Sequence, residues 1–305
     1  MRFNQIIVLD KTRLNKEGIW ALQTFSDRPV VTYEDCPQDE KETLHRISDS
    51  DCVLVSWKTP LTATVLKQSP NLRYIGMCCS LYDTSSSNVD VTTAAQLGIE
   101  VKAVRDYGDE GVVEFIFAQL ITQFKGLGRK PQNGLPTELS SKSIGIIGLG
   151  TLGKMVAQTA KIFGMRLFYS GRTEKPEVEK LGIKRLSINT LFQTCDIITV
   201  HVPRNTLVLD QTAFLSKKKK SVFINTSLGQ PFEENALLNW LFQDPESFAI
   251  FDSDGAGSLF DKLSKLDNAI LYPLSAGFTE ESGKRLTEKT LQNIEAYFSE
   301  NIIKF

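Results

Sequence analysis

Two layered α/β halves built on parallel sheets are what this sequence predicts, on three observations. Strand-length apolar runs alternate with helix-length segments almost throughout, the pattern of repeated strand-helix-strand units. A glycine-rich turn in mid-chain joins one such strand directly to a helix. The 305 residues suffice for two cores of ordinary domain size.

In the first third, strands are expected over 6–9, 29–32, 52–55, 72–77 and 100–101, with helices over 15–24 and 62–68 between them. The pattern changes over 107–124. There Glu114-Phe115-Ile116-Phe117-Ala118-Gln119-Leu120-Ile121 is apolar around most of its circumference, as in a long buried helix at a domain or subunit boundary. The stretch 125–141 is rich in Gly, Pro and polar residues, including Pro131-Gln132-Asn133-Gly134-Leu135-Pro136, and reads as an extended crossover. A second series of strands is expected at 143–148, 166–170, 197–202, 221–225, 248–251 and 269–271, followed by one amphipathic helix over 280–303.

Composition excludes several function classes. With 35 basic and 36 acidic side chains the formal charge is −1, so no electrostatic attraction to nucleic acid or to an anionic membrane is expected. The run Lys217-Lys218-Lys219-Lys220 reads as a solvated turn before a strand. Five cysteines (Cys36, Cys52, Cys78, Cys79 and Cys195) form no CxxC pair, no disulfide framework and no zinc pattern. Cys52 and Cys195 precede apolar runs, as small core residues do, and Cys78-Cys79 reads as either buried residues or reactive thiols. The start, Met1-Arg2-Phe3-Asn4-Gln5, lacks a leader pattern, and no window reaches the roughly 18 apolar residues of a membrane span. A cytoplasmic protein acting on a small molecule is the expectation.

The chemistry concentrates at Gly148-Leu149-Gly150-Thr151-Leu152-Gly153. GxGxxG alone is weak, but here the buried-strand run Ile144-Gly145-Ile146-Ile147 leads into it and an amphipathic helix leaves it, with Met155, Val156, Ala160 and Phe163 on one side. Gly148 permits the tight turn, Gly150 lets backbone amides approach a pyrophosphate, and Gly153 lets the helix pack on the strand. The helix N-terminus then favours the anion. About 20 residues on, a carboxylate is needed to hold the ribose 2′-hydroxyl of NAD. This sequence has Ser170-Gly171-Arg172-Thr173 there, with no acid before Glu174, and a guanidinium beside a missing carboxylate favours a 2′-phosphate. NADP(H) is expected over NAD(H).

Ordered landmarks carry a resemblance across nearly the whole chain. They are Asn88-Val89-Asp90, Gly111-Val112-Val113-Glu114, the fingerprint closed by Phe163-Gly164-Met165, Asp196-Ile197-Ile198-Thr199-Val200-His201-Val202-Pro203, and Phe223-Ile224-Asn225-Thr226-Ser227. In these the chain resembles the D-isomer-specific 2-hydroxyacid dehydrogenases. The resemblance implies two Rossmann-like domains. A doubly wound cofactor domain (108–281) is inserted into a flavodoxin-like substrate domain (1–107 plus 282–305), and substrate lies in the cleft. It implies hydride transfer between the nicotinamide and a 2-oxo or 2-hydroxy carbon, and a homodimer formed through the cofactor domains. On the cofactor side it implies roles for Gly148, Gly150, Thr151, Leu152, Gly153, Ser170, Gly171, Arg172, His201, Val202, Pro203, Thr226, Ser227 and Asp252, the last as partner of the nicotinamide carboxamide.

In that family an Arg grips the substrate carboxylate, a His transfers the proton and a Glu tunes the His. At the matching positions this chain has Leu228, Gly257 and Leu274. Loss of a general acid costs on the order of 10²–10⁴-fold, and loss of a positioned charge a comparable factor. The replacements suggested by position are Lys58, in Ser56-Trp57-Lys58-Thr59-Pro60, Tyr82 in the loop that begins Met77-Cys78-Cys79, and Arg105 near the hinge. Two have a plain alternative: a solvated Lys58, and an Arg105 that caps the interdomain helix or pairs across a dimer. Of the two histidines, His45 reads as surface and His201 as structural. Two functions remain open: an NADP(H)-dependent oxidoreductase with a changed catalytic set, or a nucleotide-binding sensor or scaffold without turnover.

Overall fold

The computed structural model describes residues 1–127, 135–180 and 182–302, with side chains as far as Glu300. The chain divides into two compact units, Met1–Tyr107 with Thr279–Phe305, and Gly108–Phe278.

The first unit carries β1 (Ile6–Val8), α1 (Lys16–Leu22), β2 (Val31–Thr32), α2 (Glu40–Ile47), β3 (Cys52–Val55), α3 (Ala63–Lys67), β4 (Tyr74–Met77), α4 (Val91–Gln96) and β5 (Glu100–Ala103). The strands form one parallel sheet in the order β2-β1-β3-β4-β5, the flavodoxin-like arrangement. Both faces are covered. Ile7, Val53, Ile75 and Met77 pack in one apolar cluster, and Ile6, Val8, Leu54 and Tyr74 pack in another with Tyr297 and Phe298. That two-sided burial explains why β1, β3 and β4 are unbroken apolar runs rather than alternating ones.

The second unit carries α5 (Asp109–Lys125), β6 (Ser143–Ile147), α6 (Thr151–Ile162), β7 (Arg166–Ser170), α7 (Pro176–Glu179), β8 (Lys184–Arg185), α8 (Ile188–Thr194), β9 (Ile197–Val200), α9 (Gln211–Leu215), β10 (Val222–Asn225), α10 (Glu234–Gln243), β11 (Phe248–Phe251), α11 (Ser253–Ala256), α12 (Phe260–Leu263) and β12 (Ala269–Leu271). Its seven strands are all parallel, in the order β12-β11-β10-β9-β6-β7-β8. The order reverses between β6 and β9, and ligands of such sheets bind beyond the strand C-termini at that point. Residues of α5 and α6 cover one face and residues of α8, α9 and α10 the other. The final helix α13 (Glu280–Ile302) belongs to the first unit, where Thr287 accepts the Asn15 backbone N–H at 3.0 Å.

The expected elements are present with ends displaced by a residue or two. Two differences have physical reasons. The strand β8 is only Lys184–Arg185, a two-residue edge strand with both side chains exposed, and so left no apolar run to read. Lys217 is not solvated: it is 9 % exposed, its amine donates to the Cys195 carbonyl at 3.4 Å and lies 5.6 Å from the Phe192 ring centre. Burial pushes its pKa down to about 7. Lys218 and Lys220 do face solvent, paired with Asp196 at 2.5 Å and Glu246 at 2.9 Å. Phe163, expected on the core side of α6, is 37 % exposed and instead stacks on Phe117 at 5.3 Å. Residues 128–134 of the expected crossover, and Ile303 of the expected final helix, lie outside the described residues.

Candidate cofactor and active site

The fingerprint's glycines are dictated by backbone, not by side chains. Gly148 has φ +91°, and a Cβ there would collide with the His201 carbonyl, because the turns leaving β6 and β9 pass each other at the switch point. A Cβ on Gly153 would strike the Gly148 carbonyl. One on Gly150 would meet nothing within 4 Å. Gly150 is the N-cap of α6 and no side chain caps that helix, so its first turn presents bare amides toward open space. This is the arrangement a pyrophosphate requires. Thr151 is exposed and Leu152 half-buried beside it.

Ser170 ends β7 and its carbonyl accepts the Gly148 N–H at 2.9 Å. Gly171 and Arg172 follow, with Arg172 exposed. The sequence did not point to Arg185 on β8, which donates to the Gly171 carbonyl at 2.9 Å and pairs with Glu174 at 3.1 Å. Two guanidinium side chains thus come from the turn after β7 and from its neighbouring strand. An edge strand too short to read concealed the second.

The loops after β9 and β10 leave side by side, since Val200 and Asn225 are paired. Ser227, expected to line the pocket, spends its hydroxyl on structure: it donates to the Val200 carbonyl at 2.9 Å and accepts the Val202 N–H at 3.2 Å. Asn225 donates to the Gly255 carbonyl at 2.9 Å, tying in the turn after β11. His201 shares a 3.0 Å hydrogen bond with Thr199 through Nε2, while its buried Nδ1 has no protein partner. Burial pushes His201 down to about 3, so the ring is neutral and is no acid near pH 7. The Thr226 hydroxyl is likewise buried without a protein partner. Val202 and Pro203 are half-buried in the same loop.

Asp252 is 1 % exposed and caps α11, accepting the Gly255 N–H on Oδ1 and the Ala276 N–H on Oδ2, both at 2.7 Å. Burial drives it up to about 7, the two backbone donors opposing that shift. Bare helix amides, the glycine cradle and the partnerless Thr226 hydroxyl and His201 Nδ1 together fit a dinucleotide.

The three positions at which the resemblance expects Arg, Glu and His lie in the loops after β10, β11 and β12. Leu228 is half-buried, Gly257 is exposed with φ +51°, and Leu274 is 53 % exposed. None can donate a proton or hold a charge. In the same loops Gln230 donates to the Ser258 hydroxyl at 3.0 Å, a neutral pair.

The candidate replacements belong to the first unit. Lys58 is exposed, 5.7 Å from the Trp57 ring centre, on a loop pinned from below. Buried Asp10 accepts the Ser56 N–H at 2.8 Å and the Ser56 and Thr59 hydroxyls, and Asn88 donates to the Ser56 and Thr59 carbonyls at 2.8 and 2.6 Å. Arg105 and Tyr82 come together: Arg105 donates to the Leu81 carbonyl at 2.7 Å and lies 5.3 Å from the Tyr82 ring centre. His45 is exposed on α2. Cys52, Cys78, Cys79 and Cys195 are buried thiols and Cys36 is half-buried. Among the described residues no group of His, Cys, Asp and Glu side chains is arranged to hold a metal, and no helix is long and apolar enough to cross a membrane.

The family model of the D-isomer specific 2-hydroxyacid dehydrogenase NAD binding domain matches residues 117–276, more than half of the chain. The chain belongs to that family. The protein is therefore an NAD(P)-dependent oxidoreductase of this type, and a scaffold without turnover is not favoured. It is 26% identical over 285 residues to a glyoxylate reductase of Korarchaeum cryptofilum, covering 87% of this chain and 84% of that one. A hydroxypyruvate reductase of Blautia hydrogenotrophica is 25% identical over 315 residues, with 96% of each covered. Among solved structures, an acyclic imino acid reductase in complex with NADPH and D-Arg superposes with a TM-score of 0.82 at 27% identity, covering 97% of both chains. The apo D-lactate dehydrogenase of Escherichia coli shares the fold, with a TM-score of 0.77 at 22% identity over 97% of both chains.

Proposed function

We propose that this protein is a cytoplasmic, NADPH-dependent reductase of small 2-oxo acids. The second unit binds the dinucleotide and the first serves as substrate lobe. The observation that carries the cofactor choice is the turn after β7, where Gly171 and exposed Arg172 replace a carboxylate and Arg185 adds a second guanidinium. A 2′-phosphate gains charge-assisted hydrogen bonds there, whereas a ribose 2′-hydroxyl finds no carboxylate directly after β7, the nearest acid, Glu174, being paired with Arg185. The cofactor, when bound, supplies the hydride. The chain's own part is to cradle the pyrophosphate on the α6 amides, to align the nicotinamide end through Thr226, His201 and Asp252, and to supply the charge and proton for the substrate. Lys58, Arg105 and Tyr82 remain the proposed sources of that charge and proton from the substrate lobe. Glyoxylate and hydroxypyruvate, named for the relatives, head the substrate panel.

A second reading is favoured by Leu274. Reducing a carbonyl leaves an oxyanion that must be protonated, but an iminium carbon that accepts hydride yields a neutral amine directly. A site lacking the proton donor is suited to C=N, and the imino acid reductase at 27% identity has this fold. Comparing NADPH oxidation with 2-oxo acids alone and with 2-oxo acids plus an amine separates the readings. For the cofactor, dissociation constants of NADPH and NADH decide. We expect NADPH to bind at least tenfold tighter, and Arg172→Ala to remove most of that preference; tighter NADH binding defeats it.

A homodimer through the second unit completes the proposal. Phe115, Phe124, Phe163 and Tyr272 form partly exposed aromatic contacts around α5, with Ile162 84 % exposed beside Phe163. Sedimentation equilibrium should give twice the 34.1 kDa chain mass.

A further inference from the structure

We infer that Arg204 binds the substrate's α-carboxylate, in place of the arginine that Leu228 lacks. The inference rests on the oxidoreductase reading above and is indifferent to whether the reduced bond is C=O or C=N, since both substrates carry that carboxylate.

The placement comes from strand register. Val200 of β9 is paired with Asn225 of β10, so the two chains leave the sheet level with each other. Arg204 lies four residues past Val200, and Gly229 four residues past Asn225. They meet there: the Arg204 Cγ is 3.9 Å from where a Gly229 Cβ would stand, and the Asn205 backbone nitrogen is 3.7 Å from it. Both loops take left-handed backbone to do so, Gly229 at φ +87° and Asn205 at φ +60°. Asparagine and glycine are the residues that accept this conformation most readily. The stem of Arg204 therefore runs alongside the residue that follows Leu228.

Charge makes the assignment specific. The segments beyond β9, β10, β11 and β12 cover residues 201–210, 226–233, 252–259 and 272–279. Arg204 is the single Lys or Arg among them. His201 is held neutral by burial, and the other ionisable groups are the Tyr272 phenol and the carboxyls of Asp210, Glu233, Asp252 and Asp254. An anionic substrate approaching this edge would otherwise meet only acids and neutral groups. A guanidinium that always carries its charge and offers paired donors matches a carboxylate. Arg204 is half-buried, which strengthens such a pair relative to one in open water. An arginine moved from the loop after β10 to the adjoining loop after β9 preserves the charge while changing its address in the sequence.

The test uses the full-length protein and oxamate, a non-reacting carboxylate analogue of a 2-oxo acid, titrated calorimetrically against the protein saturated with NADP⁺. NADPH affinity is measured separately. Arg204→Leu should weaken oxamate binding at least 30-fold and leave the NADPH dissociation constant within twofold. Arg204→Lys should fall between the two, and the double exchange Arg204→Leu with Leu228→Arg should regain at least tenfold. Melting curves establish that each variant is folded, and Arg204→Gln stands in should the leucine variant fail to fold. An oxamate affinity within twofold of the parent in a folded Arg204→Leu or Arg204→Gln variant overturns the inference, as does a parent that binds NADPH but no oxamate. A parent that does not bind NADPH removes the cofactor reading as well, so the two failures are told apart.

Discussion

The C-terminal edge of the seven-stranded sheet has two halves that differ in kind. Around β6 and β7 the site is made of backbone: Gly148, Gly150 and Gly153 shape a path for amides, and their side chains matter by being absent. Around β10, β11 and β12 the resemblance expects a site made of side chains, and at the expected positions the chain has Leu228, Gly257 and Leu274. A backbone cradle has few alternatives, because at Gly148 and Gly153 a single added carbon meets a carbonyl. A charged side chain has many, because neighbouring loops bring other residues to the same place. A backbone cradle is therefore readable as a motif, whereas a reacting set of side chains has to be located in the fold.

The strongest challenge to this contrast is Gly148→Ala. The new methyl group meets the His201 carbonyl at a left-handed φ, and we expect a loss of about 3 kcal/mol or more with no measurable NADPH binding. Thermal unfolding near that of the parent would contradict it. Asp252→Asn comes next. It replaces an acceptor of two backbone N–H groups by a side chain with one acceptor and one donor, which should cost about 1–3 kcal/mol, read from urea midpoints.

Away from the site, Lys217 offers a sharper test through pH. Its folded pKa of about 7 is depressed from 10.5, so the unfolded chain binds more protons between these values and parent stability should rise with pH across that window. Lys217→Met should raise the melting temperature by a few degrees near pH 7 and flatten its rise toward pH 10. Asp252 runs oppositely. Its folded pKa of about 7 is raised from 3.8, so its contribution falls as pH climbs from about 4 to about 7. The smallest effect expected on the fold is that of Gly150→Ala. A Cβ there touches no protein atom, so the melting temperature should barely move while NADPH affinity drops roughly tenfold, from the closer approach the glycine allows the pyrophosphate.

Much of this was legible beforehand. Buried parallel strands are continuous apolar runs, so β1, β3, β4, β6, β9, β10 and β11 could be read from composition alone. The edge strand β8 could not, since its two residues are both charged and its pairing is only backbone. Lys217 misled because three solvated lysines follow it, and only the packing of Cys195 and Phe192 makes it a core residue.

By itself the sequence determined the layered α/β class, the dinucleotide turn, the missing acid directly after β7 and the neutral residues Leu228, Gly257 and Leu274 where the resemblance expects a catalytic set. Each is a property of consecutive residues, whose meaning depends on local geometry. Tertiary structure decided which distant residues share a place. It put Arg185 against Gly171, spent Ser227 on the backbone of β9, and laid Arg204 beside Gly229. Strand pairing sets such meetings through hydrogen bonds between backbones, and those bonds leave no mark in the order of side chains.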